Sequence, residues 1–386
     1  MGGMDRVFET TRAKGEVGVV EKKVFTMPSY TTLGGKTIRD VRIGYETYGK
    51  LNARGDNAIF IAHYFSGTSH AAGRYAHTDE EPGYWDAIIG PGKAIDTDRY
   101  FVVSADTLAN VNTGDPNMVT TGPASINPDT GKQYGLDFPV VTIRDFVNVQ
   151  KALVDALGIR KLHAMAGPSM GSMQAIEWAT AYPEMVERVV AVIPAGLEAD
   201  PYLVGMLNVW TAPILLDAAW NNGDYQGAQG PIKGLAMALK TITLNGRHPG
   251  WANAAFGRKS EEGGDLLQDL SARYAIEAVL DKVTTDRVAT LDANSLLYTA
   301  KACQLFSLGH EGKLLDAVDR IQARVLMMPA ASDLLMLPQY AQKAVDVLRA
   351  RGKNVEYAVL EGEGGHFDGL LIIEQADAVL RKFLEN

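Results

Sequence analysis

Short apolar blocks alternate with stretches of helical period through the first half of the chain. The blocks at 18–26, 40–48, 58–63, 100–104, 162–166 and 189–193 predict strands, and 143–157 predicts a helix. Blocks such as Ile59-Phe60-Ile61 leave no polar face, so the strands they form must be buried on both sides. The predicted class is therefore α/β, with a mostly parallel central sheet and helices on both faces. From about 197 to about 316 the strand signal fades. The stretches 207–217, 231–241, 265–283 and 291–305 read as helices instead. The alternation then resumes with a strand at 323–328, a helix at 339–349, a strand at 355–360 and a closing helix at 372–384. These breaks divide the chain into a core built from 1–196 and 317–386 and a helical insertion at 197–316. An insertion between consecutive strands lies over their carboxyl ends, where open α/β sheets place their sites, so it is expected to act as a lid.

Composition narrows the partner. The chain has 386 residues and a formal net charge of −9, with its basic residues scattered. That argues against nucleic acid or an anionic membrane and for a small molecule. The single cysteine, Cys303, excludes an internal disulfide and sits in a helical pattern that suits a core role. The longest nearly apolar run, 202–216, is interrupted by Gly205, Asn208 and Pro213 and is too short to span a bilayer. Met1 to Arg6 carry no signal-peptide features, and Arg6 stands where a myristoylation motif needs Ser or Thr. A cytoplasmic location is the expectation.

The chemistry centres on Gly167-Pro168-Ser169-Met170-Gly171. A glycine-rich chain can produce such a pentapeptide in an ordinary turn. Here an apolar strand precedes it and a helical pattern follows, which is the context of a nucleophile elbow. Ser169 becomes a candidate nucleophile, and the Met170 amide points where a carbonyl oxygen would sit. A serine hydroxyl needs a base, and the base needs an orienting carboxylate, in the chain order Ser, Asp or Glu, His. Asp333 follows the 323–328 strand and His366 follows the 355–360 strand in a loop of glycines, so both fall at strand carboxyl ends. Glu198 ranks below Asp333 as the carboxylate, and Asp368 is too close in sequence to His366 to orient its ring. A second oxyanion donor should come from the loop after 58–63, where Phe65 is the candidate amide. His63, His70 and His77 match no zinc spacing, so no metal is expected. A binding protein without catalysis would leave this residue order unexplained.

Longer motifs carry a resemblance. Gly83-Tyr84-Trp85-Asp86, the run from Gly90 to Phe101, Thr121-Gly122-Pro123-Ala124-Ser125-Ile126-Asn127-Pro128 and Tyr134-Gly135-Leu136-Asp137-Phe138-Pro139 resemble the homoserine O-acetyltransferase family of the α/β-hydrolase fold. The resemblance covers most of the chain from about Thr26 onward and is weakest in the lid. It implies a triad of Ser169, Asp333 and His366, acetyl-CoA as the usual acyl donor, no bound cofactor, and a homodimer formed through the lid. It also implies a lid arginine that holds the acceptor's carboxylate. Thr211 stands at or near that place and cannot make a bidentate pair. Thr211, Tyr225 and Trp210 are the candidate substrate-binding residues. The apolar lid points to an acceptor other than homoserine. The expected activity is O-acyl transfer through Ser169 to an alcohol. Hydrolysis of a small-molecule ester, with water as acceptor, is the alternative.

Overall fold

A computed structural model describes residues 15–309 and 312–385, so the features read at Met1 to Arg6 lie outside the described residues. Eight strands form one sheet: β1 (Lys23–Thr31), β2 (Thr37–Tyr48), β3 (Ala58–Ala62), β4 (Phe101–Ala105), β5 (Leu162–Pro168), β6 (Arg188–Val192), β7 (Arg324–Met328) and β8 (Val355–Tyr357). Their spatial order is β1-β2-β4-β3-β5-β6-β7-β8. The β1–β2 and β2–β4 pairs are antiparallel and every pairing from β4 to β8 is parallel.

The helices are α1 (Ile143–Ala156), α2 (Met170–Ala181), α3 (Pro201–Leu216), α4 (Ile232–Asn245), α5 (Pro249–Ala255), α6 (Ala275–Val288), α7 (Ala293–Gln304), α8 (Leu314–Arg320), α9 (Pro338–Ala350), α10 (Asp368–Leu371) and α11 (Asp377–Glu385). Successive residues of β3 serve opposite cores. Ala58, Phe60 and Ala62 pack with α1 and α2 residues such as Phe146 and Ile176, while Ile59 and Ile61 pack with Trp85 and with Leu380 and Phe383 of α11. That two-sided burial explains why the strand lacks polar residues.

Local chemistry fixes the helix starts. Thr142 and Asp145 form a reciprocal capping box at α1, and Asp200 caps α3 by accepting from the Leu203 amide. Helices α3 to α7 fall between β6 and β7, and Ile214, Leu239, Val288 and Leu296 give them a small core of their own. α8 packs back against α2 and buries Val318 in the main core. Among the described residues no helix is long and apolar enough to cross a membrane.

Candidate active site

β5 runs directly into α2, and the turn between them places Ser169 at φ +57° and ψ −120°, a region that costs a non-glycine residue energy. The Ser169 amide donates to the Val192 carbonyl at 2.9 Å, which ties the turn to β6. Gly171 is required by contact: a Cβ there would lie 2.2 Å from the Ala62 carbonyl oxygen at the end of β3. Although Ser169 occupies the cap position of α2, its hydroxyl makes no capping bond. It is held instead by His366, whose Nε2 lies 2.8 Å from the serine Oγ.

His366 comes from the loop after β8. Gly365 in that loop has φ +78°, and a Cβ on it would meet the Gly246 carbonyl oxygen and the His248 amide at 2.8 Å, so the inserted helices press directly on the histidine loop. On its other side the imidazole Nδ1 is 2.7 Å from Asp333 Oδ2. Asp333 is buried, and its Oδ1 accepts from the Leu335 and Met336 amides at 2.8 and 2.9 Å. Two backbone bonds thus fix the carboxylate's orientation before it fixes the ring's. Among the described residues no hydrogen bond joins Asp368 to the ring of His366. Asp368 accepts from the Gly364 amide at 3.1 Å and the Ser332 hydroxyl at 3.3 Å, and Ser332 Oγ accepts from the Gly365 amide at 3.0 Å. Glu198 is exposed and pairs by backbone with Ser307, away from this arrangement.

The loop after β3 borders the same site. Asn110 donates to the Gly67 carbonyl at 3.0 Å and Asn112 to the Ser66 carbonyl at 3.1 Å, holding the segment that contains Phe65. Behind it lies a buried charged cluster in which Lys22 pairs with Glu46 at 3.1 Å and Asp106 at 3.6 Å. Burial alone would raise the Glu46 carboxyl. The bond to His70, the charge of Lys22 and the Tyr75 hydroxyl outweigh it and hold the group below the usual carboxylate range. Asp106 accepts from the Ser69 amide at 2.7 Å, and its burial pushes its own carboxyl up.

The three histidines that might suggest a metal are separated in role. His63 is interior, His70 bonds Glu46 at 3.1 Å and His77 is exposed. Burial pushes the His63 imidazole down to about 4, against a bond to the Tyr64 carbonyl that raises it. In the folded state it is therefore neutral through the range where the unfolded chain, at its ordinary value near 6.5, takes up a proton. His63 costs nothing above pH 6.5, and its linkage removes stability progressively as pH falls from 6.5 to about 4, by roughly 3 kcal/mol in all. Denaturant unfolding of the protein and of His63→Gln is expected to show a shallower acid loss for the variant across that window. Equal slopes would contradict this assignment.

Ser169 and His366 open into a cavity of about 1020 Å³, counting its solvent-open mouth. Met173, Leu203, Leu207, Trp210 and Leu335 make much of its wall apolar. Trp210 packs edge-on against Phe65 at 5.7 Å and donates its indole N–H to Asn245 at 2.9 Å. Thr211 and Tyr225 do not line the cavity, contrary to the expectation that both meet substrate. Thr211 follows Trp210 on α3 and so points about 100° away, its hydroxyl donating to the Asn208 carbonyl at 3.0 Å. The Tyr225 hydroxyl donates to Asp292 at 2.7 Å and accepts from the Asn294 amide at 2.8 Å, which ties it to the start of α7. Cys303 is buried on the cavity wall, and burial pushes its thiol up to about 12. Arg287, which no motif marks in the sequence, also lines the cavity.

Residues 82–370 match the profile of the alpha/beta hydrolase fold. The homoserine O-acetyltransferase of Symbiobacterium thermophilum is 41% identical over 356 residues, covering 91% of this chain and 90% of the relative. That of Methanococcoides burtonii is 39% identical, covering 95% of this chain and 74% of the relative. Among solved structures, esterase E22 is 50% identical with a TM-score of 0.91, covering 95% of this chain and 100% of its own. The homoserine O-acetyltransferase from Bacillus anthracis is 40% identical with a TM-score of 0.91, covering 95% and 98%.

Proposed function

This chain belongs to the homoserine O-acetyltransferase family of α/β-hydrolase-fold enzymes, and within it we propose that the protein cleaves small-molecule esters through an acyl-Ser169 intermediate, with water as the acceptor. In this reading 1–196 and 317–386 form the catalytic core and 197–316 the lid. The observation that carries it is the bonded series Ser169, His366, Asp333 opening into a largely apolar cavity.

His366 Nε2 accepts the Ser169 proton as Oγ attacks the ester carbonyl, and the Asp333 carboxylate stabilises the imidazolium that forms. The Phe65 and Met170 amides hold the resulting oxyanion, each contributing about 3 kcal/mol. Met170 opens α2, so its amide has no partner within the helix. Collapse of the tetrahedral adduct breaks the bond to the leaving alcohol, which takes the proton from His366. Water then gives a proton to His366 and attacks the acyl-serine, releasing the acid and restoring the Ser169 hydroxyl. No metal or prosthetic group enters these steps.

Likeness to esterase E22 supports water as acceptor, as does the orientation of Thr211 away from the cavity. The acetyltransferase relatives support a second reading, in which an alcohol replaces water and acyl-CoA serves as donor. Turnover of 4-nitrophenyl acetate with and without added alcohols, homoserine included, separates the two. Ester hydrolysis predicts acetate as the product and a rate unmoved by the alcohols. Slow release that accelerates with an alcohol and yields its acetate overturns that reading in favour of transfer.

A further inference from the structure

Among the described residues one permanently charged side chain lines the largely apolar cavity. Arg287 reaches it from the last turn of α6 and is only partly exposed. Among the described residues its guanidinium forms no ion pair and no hydrogen bond. The helix end does not need it as a cap, because the Arg287 carbonyl already accepts from the Thr290 amide and hydroxyl at 3.1 and 3.0 Å.

The segment that follows is fastened to the core. The Gly114 amide donates to the Thr290 carbonyl and the Asp292 amide to the Val111 carbonyl, both at 2.9 Å, and Val111 itself lines the cavity. The root of the arginine is thus fixed beside the loop after β4. Tyr64, whose hydroxyl also makes no hydrogen bond among the described residues, lines the same cavity close enough for the positive charge to oppose the rise that burial imposes on its phenol.

A cation partly withdrawn from water and left without a counter-ion is unfavourable in the free protein, and a ligand anion that pairs with it recovers that cost. We propose that Arg287 determines specificity in this cavity by pairing with an anionic group on the substrate, set apart from the carbonyl that Ser169 attacks. The substrate class is an ester or thioester that carries a carboxylate, or a phosphate on its carrier portion. The proposal rests on Ser169 being the nucleophile that defines the site.

Calorimetric titration of Ser169→Ala with two matched pairs tests it without turnover. One pair is 4-nitrophenyl hydrogen succinate against its neutral methyl ester. The other is acetyl-CoA against S-acetyl-N-acetylcysteamine, which lacks the phosphates. At least one charged member is expected to bind about tenfold more tightly than its partner, and Arg287→Gln in the same background to bring that ratio to about one. Arg287→Lys should retain part of it, keeping the charge but not the fork. A ratio lost only in the first pair identifies a carboxylate, and one lost only in the second a phosphate. Ratios in both pairs that Arg287→Gln leaves unmoved overturn the proposal. Undiminished nitrophenolate release by Ser169→Ala would instead overturn the serine assignment, and the ratios would then be read as kcat/KM.

Discussion

Ser169→Ala is expected to lower kcat on an activated ester by about 10⁶-fold, because the hydroxyl is the atom that forms the new bond. The variant is expected to fold. Alanine meets the same cost at φ +57° that serine already bears, and the amide bond to Val192 is unaffected. Among the described residues the only side-chain bond lost is the one to His366 Nε2. Nitrophenolate release together with a thermal melt checks both halves. A variant that retains more than about a hundredth of the activity, far above the residual expected from binding and the oxyanion donors alone, would contradict the assignment.

Asp333→Asn is expected to lower kcat by about 10⁴-fold with little change in stability. The reason is specific to this site. Oδ1 of Asp333 accepts from two backbone amides, so the carbonyl oxygen of an asparagine must take that place. Its NH2 group then faces His366 Nδ1, where Oδ2 now lies at 2.7 Å. A donor at that position makes Nδ1 the acceptor and moves the imidazole proton to Nε2. The ring then presents N–H to Ser169 and cannot accept its proton. The loss should appear in kcat with KM nearly unchanged. A fall of less than tenfold, in a variant with an unchanged melting midpoint, would show that Asp333 does not orient the base.

Positions that chain order and local backbone set were legible in the sequence. Ser169 is marked by the glycines on either side of it, and the structure shows why a Cβ at Gly171 could not be accommodated. Asp333 and His366 are marked by following strands, and a parallel sheet delivers all such loops to one edge. Residues whose roles depend on the rotation of a helix were not legible. Trp210 and Thr211 are adjacent in sequence, yet only Trp210 reaches the cavity, because one step along α3 turns a side chain through about 100°.

Arg287 left no local signal, since its place is set by the docking of Thr290 and Asp292 on the loop after β4. Among the elements, the strand expected at 18–26 is found at Lys23–Thr31, on the sheet edge where none of its residues is fully buried and the apolar block is a weak guide. The helix expected at 265–283 is found at Ala275–Val288, after a stretch of turns bearing Gly263 and Gly264. The short α5 carries Gly250 and too few residues to establish a period, so no helix was expected there.

Ser169 is proposed to act as the nucleophile that His366 activates. Stoichiometric reaction with a serine-directed phosphonate, followed by peptide mass spectrometry, tests this most directly. One phosphonyl group on Ser169 per chain, with activity falling in proportion and no labelling of His366→Ala on the same timescale, is the predicted result. Complete inactivation with the label on another residue, or full turnover by a protein labelled at Ser169, would contradict it.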